Sequence, residues 1–350
     1  MMARPVSSNQ NGWNTADTFL DLVGVDYAVE TYDDVKNLIP SKPIISSETA
    51  SSVSDRGEYS NDYGAGIVTA YDTEAPSWGS TAEDAWGGVS VKNDQGILTR
   101  DFVSGGFTWT GWDYKGEPTP TSWPSVSSHF GIIDSAGFWK DRTYWYNTWF
   151  KKESERGLYV FPSWTGWEEG QESTGRKCVE TYAHLEWNVT YAEGEIEVKG
   201  YENEGDVEAT DSYKVLTAGK PAKLRATSMD GVGEDGVSAS RLDVAKVKVE
   251  VLDENGVVVP VETSPINVNV DVSVGGVIVG TGNGNNVDHD PDVAKQRNVY
   301  HGRVMAWIKA DRKTAEVGGE VVVEVSADGL EGDKIGLPII DGLVAGNREL

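Results

Sequence analysis

The apolar residues of this chain follow two different spacings, and the change between them near residue 195 restricts the folds that the chain can adopt. Beyond that point Ala245 to Val251 alternate between apolar and charged residues, and Glu320 to Val325 repeat the alternation. A period of two is typical of strands with one buried face, and Asp253 to Gly256 predict a hairpin turn. We therefore predict an antiparallel β-sandwich for the C-terminal half.

The first 150 residues follow another pattern, in which short apolar segments alternate with helical or loop segments. The predicted strands are Leu20 to Tyr27, Pro43 to Ser47 and Gly105 to Trp112, and Tyr32 to Leu38 have helical spacing. A second helix is predicted to carry, on one face, Phe138, Arg142, Trp145 and Trp149. This alternation indicates parallel βα units, as in a doubly wound sheet or a (β/α)₈ barrel. Because a whole barrel takes about 250 residues, only about half of one fits here.

The charge and the composition exclude several classes of partner. The 350 residues include 30 Lys or Arg and 56 Asp or Glu, which gives a formal net charge of -26. Nucleic acid and anionic membrane are therefore not expected as partners, since both need basic surface. The 13 Trp, 14 Tyr and 7 Phe supply a large core. No apolar run is long enough to cross a bilayer, and the first residues lack the apolar region of a secretory signal, so we predict a soluble protein of undetermined compartment.

Metal and cofactor patterns are weak. Cys178 is the only cysteine, so that neither an intrachain disulfide nor a cysteine zinc site can form. Asp288, Asp290 and Asp292 alternate as in a calcium loop, but the sixth position of that loop is Val293 rather than Gly. We expect a solvated loop there, and we predict neither a metal nor a cofactor.

The residues that suggest chemistry lie at the ends of the predicted parallel strands. Pro43 to Ser47 run directly into Glu48, Tyr27 ends the preceding strand, and Trp109 lies late in the next one. Catalytic groups of barrel enzymes occupy this edge. A carboxylate, a phenol that can donate to it and an indole that can stack on a sugar are the parts of a glycosidase site. Spacing alone equally allows Glu48 to be a solvated strand end and the tryptophans to be core.

Longer motifs surround these residues. They are Ser46–Ser51, Arg56–Tyr59, Gly105–Pro120, Trp123–Ser125, Ser128–Gly131 and Gly137–Asp141. Together these segments resemble glycoside hydrolase family 2, and within it the β-galactosidase-like branch. The resemblance extends into the β-sandwich half and covers most of the chain.

The resemblance implies a retaining enzyme that removes terminal β-linked sugars, most often galactose, from an oligosaccharide or other β-galactoside. It implies that Glu48 is the nucleophile, that Tyr27 hydrogen-bonds and orients it, and that Trp109 is an aromatic wall of the sugar pocket. Further substrate contacts are predicted for Trp112, Asp113 and His129. The tryptophans at 139, 145, 149, 164 and 167 are instead expected to lie in the core or in a domain interface.

A retaining mechanism needs a second carboxylic acid about 5 to 5.5 Å from the first. In the family this residue follows an Asn at the end of the fourth barrel strand, whereas Ala3 to Val6 resemble the fifth strand. The acid/base is therefore expected upstream of residue 1. Asn203–Glu204 is an Asn-Glu pair in a turn-rich segment and is taken as a chance match, and Asp113 or Glu117 is a less favoured local substitute.

These observations predict the C-terminal half of a (β/α)₈ barrel at 1–152, followed by two immunoglobulin-like β-sandwich domains at 153–226 and 227–350. The middle domain is expected to be shorter than in the family. The chain alone is then expected to be inactive or nearly so, because it holds the nucleophile without the acid/base. Two alternatives stay open: a non-catalytic carbohydrate-binding remnant, and one subunit of a split glycosidase that a separate N-terminal half completes.

Overall fold

The computed structural model describes residues 5–7, 21–69, 73–74, 80–89, 95–152, 155, 157–161, 177–187, 189–190, 192–203, 205–229, 236–239, 243–260 and 265–341. The chain divides into two compact units. Unit 1 consists of Met1–Asp134 and Trp139–Val215, and unit 2 consists of Ser135–Phe138 and Leu216–Leu350. The three-domain division proposed from the sequence stays a prediction. Among the helices in the described ranges, none is long and apolar enough to cross a membrane.

Within the described ranges, the chain as far as residue 216 contains short strands and two α-helices. The helices are α1 (Tyr32–Leu38) and α2 (Arg142–Phe150), and a π-helix spans Glu83–Gly87. The strands are β1 (Pro5–Ser7), β2 (Val23–Asp26), β3 (Ile44–Ala50), β4 (Ser52–Val53), β5 (Thr73–Glu74), β6 (Val103–Trp109), β7 (Glu195–Gly200) and β8 (Asp211–Leu216).

Four of these strands form one parallel sheet in the order β1-β2-β3-β6. Because the strands are parallel and follow chain order, their carboxyl ends meet at one edge. Val23, Val25 and Ile44 are fully buried, and Tyr32 and Val35 of α1 pack into the same core. The predicted strands and first helix are thus confirmed within a few residues; Leu20 lies outside the described residues.

The second predicted helix begins later than expected. It starts at Arg142, so Phe138 is not part of it and packs instead with Ala136 and Met305 in unit 2. The buried residues of α2 are Arg142, Thr143 and Tyr146 rather than the tryptophans. The reason is polar: the Arg142 guanidinium donates to the backbone oxygen of Gly131 at 2.8 Å, which turns that side of the helix inward.

One of the tryptophans expected in the core or in a domain interface lies outside the core, and its place in an interface stays a prediction. The side chain of Trp139 is 45% exposed, whereas Trp145 and Trp149 of α2 are half-buried. Trp164 and Trp167 lie outside the described residues.

The remaining strands form two larger sheets. They are β9 (Lys223–Ser228), β10 (Val237–Ser238), β11 (Ala245–Leu252), β12 (Asn267–Val272), β13 (Gly276–Gly282), β14 (Gln296–Asn298), β15 (Arg303–Ala310), β16 (Glu320–Ser326) and β17 (Asp333–Ile340). One sheet has the order β10-β17-β16-β12-β14 and the other β13-β15-β11-β9. A single apolar core holds buried residues from both sheets, which is the arrangement of a β-sandwich.

The alternation read from the sequence matches this sandwich. Val247 and Val249 of β11 and Val323 of β16 are fully buried in the shared core. The predicted hairpin turn is present, since the amide of Asp253 donates to the carbonyl of Val257 at 2.9 Å. The strand β9 crosses the predicted boundary at 226, and an immunoglobulin-like topology stays a prediction.

The aspartate loop of unit 2 is organised around an arginine. The buried Arg297 guanidinium donates to Asp288 Oδ2 at 3.0 Å and to the backbone oxygens of Asp290 and Pro291 at 3.1 and 2.8 Å. The Arg297 guanidinium thus supplies the positive charge to which the carbonyl and carboxylate oxygens of the loop are hydrogen-bonded.

Candidate active site

Tyr27 and Glu48 meet at the carboxyl edge of the parallel sheet. The Tyr27 hydroxyl donates to Glu48 Oε2 at 2.7 Å, and the Tyr27 amide donates to the Glu48 carbonyl at the same distance. An irregularity after Val25 pairs Asp26 with Glu48 across the two strands. Tyr27 then takes a left-handed conformation, with φ of 57°, which turns the chain sharply at the strand end.

The electrostatics of this pair keep the tyrosine a donor. Burial raises the pKa of the Tyr27 phenol, and the hydrogen bond to Glu48 with the negative charges of Glu48 and Asp26 raises it further. The phenol therefore stays protonated across the neutral range and donates its proton to the carboxylate. A charge-assisted bond of this kind fixes one carboxylate oxygen and leaves the other able to react.

Small polar residues flank Glu48 in β3 and directly after it. Ser47 donates its hydroxyl to Asp26 Oδ1, and Ser46, Thr49 and Ser51 are fully buried. Their small size lets the neighbouring strand approach: a Cβ at Gly106 of β6 would lie 2.8 Å from the Ser46 Cβ. The sequence analysis did not single out these buried hydroxyl residues. The signal that could have found them is the run of Ser and Thr on either side of Glu48.

Trp109 ends the adjacent strand β6 and pairs in register with Ala50, two residues beyond Glu48. Its ring is half-exposed and meets the ring of Tyr114 edge to face, with centroids 5.9 Å apart. It also packs against a small cluster that includes Phe130. One side of the indole is thus supported by protein, as a wall of a sugar pocket requires.

Asp113 does not face this edge as predicted. Its side chain is completely inaccessible, with Oδ2 at 2.6 Å from Lys140 Nζ and Oδ1 accepting from the Gly131 amide at 2.8 Å. Burial raises the pKa of Asp113 to about 6, although the Lys140 ammonium acts to lower it. A substrate contact for Asp113 is therefore wrong in this structure, because loop backbone and a buried lysine occupy its carboxylate.

The predicted substrate contact of His129 is likewise wrong. The residue is fully buried, its Nδ1 lies 2.6 Å from Asp55 Oδ1, and its Nε2 lies 2.9 Å from the Thr121 hydroxyl. Both ring nitrogens are thus used inside the protein. The role that geometry gives His129 is to fix the loop that contains Thr121.

Trp112 lies on the segment that follows β6 and is 51% exposed. It is accessible to a ligand, and its contact with substrate stays a prediction. Asn203, one half of the rejected Asn-Glu pair, donates its amide to Asp206 Oδ2 at 2.8 Å within a local turn. Glu204 lies outside the described residues.

Several charged residues near the site had no sequence signal that singled them out. Arg56 donates to Asp134 at 2.8 Å, with both side chains almost completely buried. Lys140 reaches the carbonyl of Ser54 at 2.5 Å as well as Asp113. These pairs join segments that lie far apart in the sequence, and they hold the loops behind the Glu48 edge.

Comparison with known proteins identifies relatives of this chain. Residues 232–336 match the family described as glycoside hydrolase family 2 C-terminal domain 5, and residues 170–209 match a domain of unknown function. The β-galactosidase BoGH2A of Bacteroides ovatus is 31% identical over 371 residues, covering 93% of this chain and 42% of the relative.

Solved structures show the same fold. A β-glycosidase from Bacteroides vulgatus superposes with a TM-score of 0.74 at 20% identity, covering 96% of this chain and 47% of that one. A β-glucuronidase from glycoside hydrolase family 2 has a TM-score of 0.64 at 18% identity, covering 93% and 35%. The chain thus spans less than half the length of these relatives. With the motifs around Glu48 and the matched C-terminal domain, it belongs to glycoside hydrolase family 2 and represents the C-terminal portion of a family member.

Proposed function

We propose that this chain supplies the nucleophile side of a retaining β-glycosidase site, with Glu48 as the nucleophile. The observation that carries the proposal is the 2.7 Å hydrogen bond from the Tyr27 hydroxyl to Glu48 at the shared edge of the parallel sheet. A hydrolytic nucleophile needs one fixed and one reactive oxygen, and this bond separates the two. The identity to BoGH2A, which is named a β-galactosidase, favours the same class of reaction.

The reaction that follows is a double displacement. Glu48 attacks the anomeric carbon, a bond forms to its free oxygen, and the bond to the leaving oxygen breaks as that oxygen takes a proton from a general acid. Water then gives a proton to the same group, which now acts as a base, and its oxygen attacks the anomeric carbon as the bond to Glu48 breaks. Tyr27 holds the carboxylate throughout and, since its raised pKa keeps it protonated, it stabilises the charge when Glu48 departs.

The general acid is proposed to come from a segment outside these 350 residues. Of the two local substitutes, Asp113 has no accessible side-chain surface and is paired with Lys140. Glu117 is exposed, and its carbonyl accepts the amide of Thr119 within its own loop. The four parallel strands in chain order support the corresponding proposal that unit 1 contains half of an eight-stranded barrel, whose other half carries the acid.

The substrate proposed is a neutral terminal sugar such as a β-galactoside. The carboxylates of Asp26 and Glu48 lie on adjacent strands at the site edge, where they disfavour an anionic sugar. Two cationic side chains behind this edge, Arg56 and Lys140, are not available to bind an anionic sugar, because both are buried and paired with aspartates. A sugar carboxylate would therefore need a cation from elsewhere.

The test uses a substrate that does not need the missing acid. A dinitrophenyl 2-deoxy-2-fluoro-β-galactoside has a leaving group that departs without protonation, and the fluorine slows the second step. Mass spectrometry of the full chain should show one glycosyl adduct, located on Glu48 by peptide mapping and absent from Glu48→Gln. Tyr27→Phe should slow labelling about tenfold to a hundredfold, because a hydrogen bond to a charged group is lost.

A matched control is Tyr32→Phe, since the buried Tyr32 hydroxyl interacts with Ser46 rather than with Glu48. This variant should be labelled at the wild-type rate. An adduct on another carboxylate, or equal labelling of Glu48→Gln, would show that Glu48 is not the nucleophile. Sugar binding without any adduct would favour a non-catalytic carbohydrate-binding remnant. Turnover of an unactivated methyl β-galactoside by the chain alone would instead reveal a local acid.

A further inference from the structure

Two exposed tryptophans lie in one row on the segment that follows β6. Backbone bridges pair Trp112 with Ile133 in parallel and Ile133 with Trp139 in antiparallel fashion. Bridged residues on neighbouring strands project their side chains to the same face. Trp112, Ile133 and Trp139 therefore form a single row, which we call the tryptophan row.

The residues next to this row show independently which way it faces. Asp113 follows Trp112 and Lys140 follows Trp139, and the ion pair between Asp113 and Lys140 is inaccessible to solvent. Since successive residues of an extended segment point to opposite faces, the two indoles must point outward. Their exposed fractions of 51% and 45% agree. An exposed apolar row on a segment fixed by a buried ion pair indicates a binding surface.

One indole of the row is braced by aromatic neighbours. The ring of Trp139 meets that of Tyr144 edge to face, with centroids 5.6 Å apart. Tyr144 stacks on Tyr159 at 3.6 Å, and the Tyr159 hydroxyl donates to Asp141. A ring held in this way loses little conformational freedom when a ligand stacks on it.

We propose that the tryptophan row binds the leaving-group portion of a β-linked oligosaccharide whose terminal sugar occupies the Glu48 site; this rests on the proposed function. The row begins three residues beyond Trp109, the wall of that site, so its first indole is carried on backbone within about 10 Å of the pocket. Indole faces present apolar surface that suits the C–H face of a sugar ring. With a net charge of -26, the protein suits a neutral ligand better than an anionic one.

The spacing of the row fits alternate sugar units. Two interstrand steps separate Trp112 from Trp139, which places their backbones about 10 Å apart. An extended β-linked hexose chain advances about half that distance with each sugar. One unit would therefore stack on each indole, and the unit between them would lie over Ile133.

The experiment measures binding rather than turnover. The full chain carrying Glu48→Gln is titrated by calorimetry with a β-linked galactotetraose and, separately, with galactose. We expect Trp112→Ala and Trp139→Ala each to weaken tetraose binding about tenfold, with galactose binding unchanged. Trp139→Phe should retain most of the affinity. Trp123→Ala is the matched control, because Trp123 is 74% exposed but is not part of the row.

Unchanged tetraose affinity in both row variants would overturn the proposal, as would an equal loss in Trp123→Ala. If the row variants instead convert a dimer to a monomer in sedimentation, the row is an interface between copies and the proposal also fails. The trapping experiment on Glu48 is read separately. A wild-type adduct with no effect of the row variants on binding leaves the glycosidase proposal standing, whereas loss of the adduct alone removes the proposed function.

Discussion

The two units of this chain bury charge in different places: unit 2 buries Glu250 and Arg297 outside its apolar core, whereas unit 1 buries charged residues behind the site edge. The core of unit 2 is a sandwich interior of Val, Ala, Ile and Leu drawn from both sheets. Unit 1 buries a comparable apolar core under its parallel sheet, but behind the site edge it also buries Asp55, Arg56, Asp113 and Lys140. The difference shows that the sandwich is specified by a repeating pattern, whereas the site is held by individual polar pairs.

The polar pairs of unit 1 connect segments that the strands alone would leave separate. Arg56 to Asp134 and His129 to Asp55 join residues 78 and 74 positions apart. Buried charges are costly unless every partner is present, so each pair permits only one arrangement of its loops. The loops that follow β3 and β6 are thereby kept in place beside Glu48 and Trp109.

The largest effect is expected from Lys140→Met, which leaves the buried Asp113 carboxylate without its cation. Loss of one partner of a buried ion pair costs about 3–5 kcal/mol. Urea unfolding followed by tryptophan fluorescence measures the loss in unit 1, because eleven of the 13 tryptophans lie between Trp78 and Trp187. Adding Asp113→Asn should recover part of the stability, since the uncompensated charge is removed.

The control for that change is Lys214→Met, on the exposed strand β8 with Glu195 at 2.7 Å. Its unfolding midpoint should match the wild type, because exposed ion pairs contribute little. Equal midpoints for Lys140→Met and Lys214→Met would mean that the buried pair does not hold unit 1, and the contrast between the units would disappear.

A smaller effect is expected when one methylene is removed from the sandwich. Ile308→Val in β15 should cost about 0.5–1.5 kcal/mol, because Ile308 is fully buried in the shared core. Hydrogen exchange should show the loss in β15 and its partners β11 and β13. Val279→Ala on β13, which is 40% exposed, should change exchange less. If Ile308→Val lowered the free energy of unfolding more than Lys140→Met does, the expected order of the two effects would be reversed.

Much of the fold could be predicted because local spacing reports which face of an element is buried. The alternation in β11 and β16 matched their core residues, and the three parallel strands were found within a few residues. The pairing of Tyr27 with Glu48 followed from strand ends that share one edge. These successes have a common cause, since each depends on the period of an element or on the parallel order of the strands.

The errors arose where a distant partner decided the outcome. Asp113 and His129 lie in the motifs that carry the family resemblance. In the structure, however, Asp113 is buried in an ion pair with Lys140, and His129 is buried in a hydrogen bond with Asp55. Trp139 was expected in the core or in a domain interface from its residue type, but alternation with the buried Lys140 turns it away from the core. No spacing within a segment reveals which lysine will meet which aspartate, so these side chains could be placed only once the loops were.

The smallest effect expected is a difference in how the two units respond to pH. In unit 1, His184 Nδ1 lies 2.6 Å from Glu83 Oε1, and this hydrogen bond raises the pKa of His184 to about 9 against the opposing effect of burial. In unit 2, burial disfavours the charge of Glu250, but the hydrogen bond from Arg225 and the charges of Lys248 and Arg303 outweigh it and lower the Glu250 pKa.

The signs of these shifts are opposite. The contribution of His184 is complete below its unfolded pKa of about 6.5 and is lost as pH rises to about 9. The contribution of Glu250 is complete above its ordinary pKa and is lost as pH falls below it. Thermal melts should therefore show unit 1 weakening on the alkaline side and unit 2 on the acid side. His184→Gln should flatten only the alkaline slope and Glu250→Gln only the acid one; an alkaline slope that persists in His184→Gln would assign it to another group.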